Sequence, residues 1–301
     1  MKFALEGTAL SKRYGRTWAL FDCSINLPQG RVAALVGPNG AGKTTLLNLA
    51  AGLLSPTSGQ LRVLGRDPSM HAALILPRIG FLAQDAPLYW RWTVEEMLRL
   101  GRELNPRWDQ AKAVNRLRRL RIPLDRRIGQ LSGGQKAQVA LALALAKRPE
   151  LLLLDEPLAS LDPLARHDFL LELTEAALND GLTVVMSSHA IGDMERICDY
   201  LLLVTAGHLQ VAGEIDQLME HHALLVGPRV ADGSLVAGVD VIRETHSQRQ
   251  SSLWVRANQA SLRVDPVWEV KNLSLEEIVI AYLSTPASGS LPDPVLVSSG
   301  R

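Results

Sequence analysis

Apolar and polar positions along much of the chain predict strands and helices in turn. GRVAALVGPNG is a short apolar run that ends in a glycine-rich turn, and the following GKTTLLNLAAGLL has helical spacing. Two later runs, PELLLLDEP and LTVVMSSH, are continuous and apolar, as expected for strands buried on both faces of a parallel sheet. Between them, PLARHDFLLELTEAALNDG predicts a helix closed by a glycine. This order predicts an α/β core with a parallel sheet.

Two other regions have different patterns. Residues 93–120, TVEEMLRLGRELNPRWDQAKAVNRLRRL, have helical spacing and many arginines, which indicates a basic helical insert. On charge alone, a solvated amphipathic face explains these arginines at least as well as a binding surface. Beyond about residue 220, short alternating segments between polar turns predict a small β-containing extension.

The extension ends in SLEEIVIAYL, which predicts a helix. Ser274 and Glu277 fit a capping box at its start. Its apolar positions fall on one helical face, namely Leu275, Ile278, Val279, Tyr282 and Leu283. The remaining residues, up to 301, are rich in proline, serine and glycine, and we expect them to be disordered.

Composition narrows the classes of protein to consider. With 301 residues, 47% of them hydrophobic, the chain can bury one large core, or one core and a smaller satellite domain. A net charge of +1 gives no overall field that would attract nucleic acid.

Cys23 and Cys198 form no disulfide framework, and we expect both to be small buried hydrophobes in a reducing compartment. No signal peptide is visible, and no apolar run approaches the roughly 20 residues of a membrane span. We therefore expect a cytoplasmic protein whose membrane role would need a partner.

GPNGAGKT, residues 37–44, matches the phosphate-binding loop pattern. Its glycines let successive backbone N–H groups surround a phosphate, and the following helix presents its positive end to the same anion. Lys43 is predicted to contact the β- and γ-phosphates of a nucleotide, and the Thr44 hydroxyl to bind Mg²⁺. The strand before the loop and the helix after it make a chance match less plausible.

A carboxylate at the end of a neighbouring buried strand is the second element that such a site needs. LLLLDEP supplies two: Asp155 is the candidate on the metal side, and Glu156 is the candidate that polarises the attacking water. An ordinary strand-end turn is the structural alternative, and beside a phosphate loop we consider it the weaker explanation.

The phosphate loop, LSGGQ at 131–135, LLLLDEP and SSH at 187–189 occur in the order typical of an ATP-binding cassette. Over about residues 3–220 the chain resembles the ATPase module of ABC transporters. LSGGQ is the more specific signal, because many unrelated nucleotide enzymes share the loop. The resemblance implies an α/β P-loop NTPase core with an antiparallel β edge, a helical insert at about 86–130 and a small α+β extension. The predicted domains are therefore 1–220 and 221–284, followed by a tail at 285–301.

The resemblance also implies roles for individual residues. Tyr14 would stack on adenine, although a partly buried core tyrosine is the structural alternative. Gln84 would sense Mg²⁺ and the attacking water, and His189 would contact the γ-phosphate. The loop residues expected to bind ATP are Gly37, Pro38, Asn39, Gly40, Ala41, Gly42, Lys43, Thr44 and Thr45.

Cassettes of this family pair head to tail, so the resemblance implies a second ATPase chain, identical or homologous. The signature of one chain would then close over the ATP of the other, through Ser132, Gly133, Gly134 and Gln135. Asp162 matches the aspartate of the dimer-facing loop. One chain alone is expected to be a poor ATPase.

We assign no role in the nucleotide site to four further positions. Where the family commonly has basic residues after the signature, this chain has Gln138 and Leu143, which puts the salt-bridge arrangement of that helix in doubt. Neither position is among the direct phosphate ligands. His221 and His222 lack helical metal-ligand spacing, and we interpret them as a solvated pair.

The implied function is to power a separate multi-span membrane permease from the inner face of the cell membrane. QDAPLYWRW, next to Gln84, has the aromatic and apolar groups of an anchored contact, but could equally belong to the core of the insert. The C-terminal extension resembles those of bacterial drug and antibiotic exporters, which favours export. The alternatives are a soluble cassette acting on ribosomes or DNA, and a phosphate-loop kinase or GTPase. Near-zero net charge and a single signature argue against the first, and LSGGQ against the second; no nucleic-acid partner is expected.

Overall fold

The structure is a computed structural model that describes residues 2–84, 87–159, 161–189, 191–229, 239–257, 262 and 264–284. Its strands, in chain order, are β1 (Phe3–Tyr14), β2 (Thr17–Pro28), β3 (Val32–Val36), β4 (Ser58–Val63), β5 (Ile79–Leu82), β6 (Leu151–Leu154), β7 (Thr183–Ser188), β8 (Tyr200–Thr205), β9 (His208–Glu214), β10 (His222–Pro228), β11 (Asp240–His246), β12 (Gln250–Arg256) and β13 (Glu269–Asn272).

The helices alternate with these strands through most of the chain. They are α1 (Lys43–Ala50), α2 (Ala72–Ile75), α3 (Val94–Leu104), α4 (Gln110–Arg119), α5 (Gly133–Ala146), α6 (Pro163–Asp180), α7 (Ile191–Met194), α8 (Ile215–Glu220) and α9 (Leu275–Ser284). Among the described residues, none of these helices has the length and apolar character needed to cross a membrane.

A six-stranded sheet of order β5-β6-β7-β3-β8-β9 forms the centre of the fold. Its first five strands are parallel, and β9 pairs antiparallel with β8. Every residue of β3, β6 and β7 is buried, which confirms the prediction made from their apolar runs. Neighbouring residues of β3 enter different clusters: Ala34 packs with the α6 side, and Leu35 with the α1 side.

A three-stranded antiparallel sheet, β2-β1-β4, lies beside this core. Its apolar residues share one buried cluster with α1 and with one face of the central sheet. The fold class predicted from the sequence is confirmed: an α/β core with a parallel sheet and an antiparallel β edge.

The basic insert consists of two helices. α3 begins with a capping box in which Thr93 and Glu96 bond each other's backbone N–H groups. Asp109 caps α4 through the N–H of Lys112 at 2.9 Å. α3 and α4 pack with α5 in a hydrophobic cluster of their own. The fold therefore joins the insert to the core chiefly through the helix that follows the LSGGQ segment.

The C-terminal extension contains a four-stranded sheet of order β11-β12-β10-β13. The Ser274–Glu277 capping box is confirmed, with Glu277 donating its N–H to Ser274 Oγ at 3.3 Å. Four of the five predicted apolar positions of α9 are buried, and Leu283 is the exposed one. The four buried residues of α9 pack in the same hydrophobic cluster as residues of α6 and of one face of the central sheet. Residues 285–301, predicted to be disordered, lie outside the described part.

The interpretation of His221 and His222 as a solvated pair is wrong for His222. His222 is 1% exposed, and its two ring nitrogens bond the Leu218 carbonyl at 2.6 Å and the Tyr282 hydroxyl at 2.9 Å. The burial comes from α9, which lies far along the chain, so the local pattern around the histidines carries no sign of it.

Candidate nucleotide-binding site

The loop between β3 and α1 requires glycine at two positions. A Cβ on Gly37 would lie 2.1 Å from the Val204 carbonyl oxygen, and one on Gly42 would lie 2.4 Å from that of Ala19. Gly42 also has a φ of 111°, which side-chain-bearing residues rarely adopt. The glycines thus let the loop pass between β2 and β8 and enter α1.

Lys43 is the first residue of α1, and its side chain turns back over the loop. Its ammonium donates hydrogen bonds to the carbonyl oxygens of Gly37 at 2.8 Å and Pro38 at 3.2 Å, and lies 3.6 Å from Glu156 Oε1. Gly42 caps α1 without a side-chain bond, so the first N–H groups of the helix have no side-chain cap. A cation and a positive helix end therefore meet at this loop, as anion binding requires.

The two adjacent carboxylates at the end of β6 have different surroundings. Asp155 is buried, and its Oδ1 accepts a hydrogen bond from the Ser187 hydroxyl at 2.7 Å. The Glu156 N–H donates to the same Ser187 oxygen at 2.8 Å. Ser187 was not singled out from the sequence. Its signal was present in SSH, but only the pairing of β6 with β7 shows that it bonds both acidic residues.

Glu156 lies between two cationic or polar groups. Its Oε2 accepts a hydrogen bond from His189 Nδ1 at 2.9 Å, and its Oε1 faces the Lys43 ammonium at 3.6 Å. The Glu156 side chain is mostly buried, whereas that of His189 is exposed. The three side chains form a connected series from the phosphate loop to the end of β7.

One cleft of about 740 Å³ brings most of the predicted site residues together. It is lined by Ala19, Asn39, Gly40, Ala41, Gly42, Lys43, Thr44, Thr45, Gln84, Glu156, Ala159 and His189. Buried Asp155 is not part of this wall, and neither are Gly37 and Pro38, whose carbonyls hold Lys43. The cleft thus combines a phosphate loop, a carboxylate, an imidazole and an amide side chain.

The LSGGQ segment is not part of the cleft. Ser132 caps α5, and Ser132 and Gln135 form a capping box: Gln135 donates its N–H to Ser132 Oγ at 3.2 Å, and Ser132 donates its own to Gln135 Oε1 at 3.1 Å. Gly133 and Gly134 form the first turn of the helix, and Gly133 is exposed. Within one chain, this segment is an accessible, positively polarised helix end.

Tyr14 and Asp162 also lie outside the cleft wall. Tyr14 is 49% exposed, and the Lys12 ammonium lies 5.5 Å from its ring centre. Asp162 caps α6, accepting the Ala165 N–H at 2.9 Å. Its position at a helix start has a structural reason independent of any partner.

Known proteins share sequence and fold with most of this chain. The sequence profile of the ABC transporter family matches residues 20–159. The Nod factor export ATP-binding protein I of Rhizobium meliloti (strain 1021) is 35% identical over 222 residues, which are 72% of this chain and 66% of that protein. The chain belongs to the ABC transporter ATP-binding family. A second relative of this cassette, the sulfate/thiosulfate import ATP-binding protein CysA of Escherichia coli (strain K12), is 35% identical over 73% of the chain and 62% of that protein. The cassette therefore spans just under two thirds of the length of these relatives.

Solved structures agree with this assignment. The ATP-binding subunit of an ABC transporter superposes with a TM-score of 0.66 at 29% identity, covering 71% of this chain and 91% of that one. The cassette MJ0796, in a dimeric post-hydrolysis state with ADP and Pi, superposes with a TM-score of 0.63 at 25% identity, covering 70% and 98%. Both similarities support the cassette fold.

An apolar groove of about 530 Å³ lies between the core and the insert of the cassette. Phe81, Leu88, Leu100, Leu104 and Leu143 are among the residues that line it. The residues of QDAPLYWRW differ in their surroundings. Leu88 packs against the insert cluster, whereas Tyr89 and Trp90 are 58% and 64% exposed. Asp85 and Ala86 of this segment lie outside the described residues.

Proposed function

We propose that this cassette is the ATP-hydrolysing, nucleotide-binding subunit of a transporter and that it powers a separate membrane permease. The observation that carries the proposal is the joint lining of one cleft by the phosphate loop, Gln84, Glu156 and His189. A phosphate loop alone would serve many nucleotide proteins. Its combination with a carboxylate in contact with both Lys43 and a histidine supports phosphoryl transfer to water.

ATP with Mg²⁺ fits the donors of this cleft. Mg²⁺ prefers oxygen ligands, and it usually takes one or two from the protein and others from phosphates and water. The Thr44 hydroxyl and the Gln84 amide oxygen are such donors on the cleft wall. Bound Mg²⁺ would neutralise charge on the phosphate oxygens. We assign Thr44 and Gln84 as its ligands, with Asp155 acting on its shell while Ser187 holds that carboxylate in place.

Glu156 is the residue that we propose to polarise the attacking water. A carboxylate accepts a water proton, and its orientation is restricted here by His189 Nδ1 at 2.9 Å and by Lys43 at 3.6 Å. Lys43 would bind the β- and γ-phosphates, His189 would contact the γ-phosphate, and Gln84 would orient the water. The backbone of residues 37–45 and the start of α1 would hold the phosphates by N–H donors.

The complete site needs a second cassette. We propose that Ser132, Gly133, Gly134 and Gln135 of one chain bind the γ-phosphate held by another, with Asp162 facing the same interface. The exposed start of α5 supports this role, because the helix dipole favours an anion there. Tyr14, half exposed at the end of β1, would stack on adenine.

The permease is proposed to dock in the groove beside Gln84. Closure of two cassettes on ATP, and their opening after hydrolysis, supplies free energy only to a partner that touches the moving parts. The groove contacts both the core and the insert, and exposed Tyr89 and Trp90 lie in the segment that follows Gln84. The contact with the permease would lie at the cytoplasmic face of the cell membrane.

Of the two relatives, one is named for export and one for import. We propose export of drug-like, antibiotic, peptide or lipid compounds, because the C-terminal extension resembles those of bacterial drug and antibiotic exporters.

Co-purification tests this function. The full chain carrying Glu156→Gln would be tagged, held in ATP, extracted from native membranes in mild detergent, and analysed for stoichiometric partners. We expect a multi-span membrane protein. Recovery of ribosomes, DNA or only soluble proteins would contradict the transporter assignment.

A matched pair of variants locates the docking surface. Leu104 and Leu178 are both strongly exposed helical leucines, but only Leu104 lines the groove. We expect Leu104→Asp to lose most of the permease and Leu178→Asp to retain it. Equal recovery with both variants would place the contact elsewhere.

A further inference from the structure

A buried arginine of the insert joins three helices of the cassette. Arg116 of α4 is 4% exposed. Its Nη1 lies 2.7 Å from Glu172 Oε2 of α6, and its Nη2 donates to Gln138 Oε1 of α5. Its Nε has no hydrogen-bond partner among the described residues, so the guanidinium is held through its two terminal nitrogens.

This arrangement is costly unless the contacts are well formed. Burial lowers the pKa of Arg116, and the charge of Glu172 opposes that shift. A buried ion pair is weak evidence for stability, because desolvation offsets the attraction between the charges. What such a network supplies is a defined geometry, since its donors and acceptors are satisfied in few arrangements.

The contacts continue from Arg116 to the start of α6. Gln138 donates through Nε2 to the Ala165 carbonyl oxygen at 3.3 Å. The N–H of the same residue, Ala165, donates to Asp162 Oδ1 at 2.9 Å. A Cβ on Gly134 would lie 3.6 Å from the Ala165 Cβ, so the first turns of α5 and α6 also pack closely. Arg116 is therefore linked, through the Gln138 side chain and the backbone of Ala165, to Asp162, the cap of α6.

We propose that Arg116 is a positioning residue that fixes the starts of α5 and α6 relative to each other. Ser132 and Asp162, which cap these helices, would then reach the partner cassette as one rigid edge. The inference rests on the proposed function, because it presumes that this edge closes over the partner's ATP. It also accounts for Gln138: the basic group at this place comes from the insert, and Gln138 connects it to α6.

The test measures ATP-driven dimerisation and nucleotide affinity separately. In the full chain with Glu156→Gln, we would add Arg116→Gln and follow dimer formation by sedimentation as ATP is added. If the starts of α5 and α6 are displaced from each other, dimerisation should weaken by about tenfold or more. Binding of a fluorescent ATP analogue to the single chain should stay within about twofold, because no residue of this network lines the cleft. Loss of folding alone would impair both quantities.

Arg119→Gln is the matched control. Arg119 lies on the same helix and pairs with the same Glu172, but its side chain is 60% exposed. We expect it to change dimerisation by no more than about twofold. If Arg116→Gln folds poorly, Gln138→Met removes the link to Ala165 while leaving the buried ion pair, and should give the same selective loss.

An exchange variant separates position from charge. Arg116→Gln combined with Gln138→Arg returns a guanidinium to the same three-helix contact from the other side, and should recover dimerisation. Unchanged dimerisation in both Arg116→Gln and Gln138→Met would overturn the inference while leaving the proposed function intact. Failure of the Glu156→Gln parent itself to dimerise with ATP would contradict the head-to-tail pairing, and the inference would fall with it.

Discussion

At the scale of single residues, Glu156 and Asp155 show how neighbours on one strand end take different environments. Asp155 is buried under the Ser187 hydroxyl, whereas Glu156 reaches the cleft between Lys43 and His189. Glu156 has a φ of 47°, in the left-handed region that a residue with a side chain seldom adopts. Such backbone conformations persist where the surrounding structure fixes them, and they cluster at functional sites. The Ser187 oxygen that accepts the Glu156 N–H is one such constraint.

Glu156→Gln should separate ATP binding from hydrolysis. The amide keeps the size of the side chain but accepts a water proton poorly, so we expect phosphate release to fall by about 10²- to 10⁴-fold. ATP affinity should remain, and the ATP-bound chain should accumulate as a dimer. Phosphate release and equilibrium binding of the ATP analogue measure the two effects. Lys43→Ala is the contrasting variant: it should lose affinity, by about 1.5–3 kcal/mol, with the loss of a charged phosphate contact. Turnover at the normal rate in Glu156→Gln would show that another group acts as the base.

At the scale of elements, the LSGGQ segment has two separable properties. Ser132 and Gln135 form the capping box that starts α5, which is a purely local reason for serine and glutamine at this spacing. Gly133 and Gly134 leave the same helix end without side chains. The segment therefore combines a stable helix start with a surface that another molecule can approach closely.

Ser132→Arg should leave the nucleotide site filled and prevent productive closure. The arginine removes the helix cap and adds bulk where the partner's γ-phosphate is expected, so ATPase activity should fall by about 10²-fold while ATP affinity stays within about twofold. Ser132→Ala is the control for the cap alone, with an expected loss of about 1 kcal/mol in the free energy of unfolding. Rates should be measured at chain concentrations that support dimerisation. Normal activity in Ser132→Arg would refute the proposed role of the signature across the interface.

Elements governed by local pattern were predictable from the sequence. The β6 strand follows from its uninterrupted leucines, and α6 ends where Gly181 adopts a left-handed φ of 62°. Contacts between distant segments were not. Ser187 bonds both carboxylates only because β6 and β7 pair, and Arg116 meets Gln138 only because the insert folds onto α5. The roles of His189 and of LSGGQ came from resemblance to the family, since their spacing alone does not specify them.

At the scale of the whole molecule, the C-terminal segment completes the core of the cassette. α9 buries Leu275, Ile278 and Val279 in the cluster that includes α6 and the central sheet. The Tyr282 hydroxyl of the same helix donates to His222 Nε2 at 2.9 Å, and His222 Nδ1 donates to the Leu218 carbonyl of α8 at 2.6 Å. This hydrogen-bonded junction connects β10, α8 and α9, and burial of the ring favours its neutral form, in which Nε2 accepts.

The junction should make stability depend on pH. Burial, and to a lesser degree the charges of Arg256 and His221, lower the pKa of His222 below its ordinary 6.5, although its bond to Leu218 opposes the shift. The unfolded chain then takes up this proton at a higher pH than the folded one, so the free energy of unfolding falls as the pH drops below about 6.5. His222→Phe removes the titrating ring and should flatten that fall between about pH 7.5 and pH 5, as measured by urea unfolding at each pH. His221→Phe, beside it but only half-buried, should keep the slope of the native chain. Parallel slopes for the native chain and His222→Phe would show that the acid sensitivity comes from other groups.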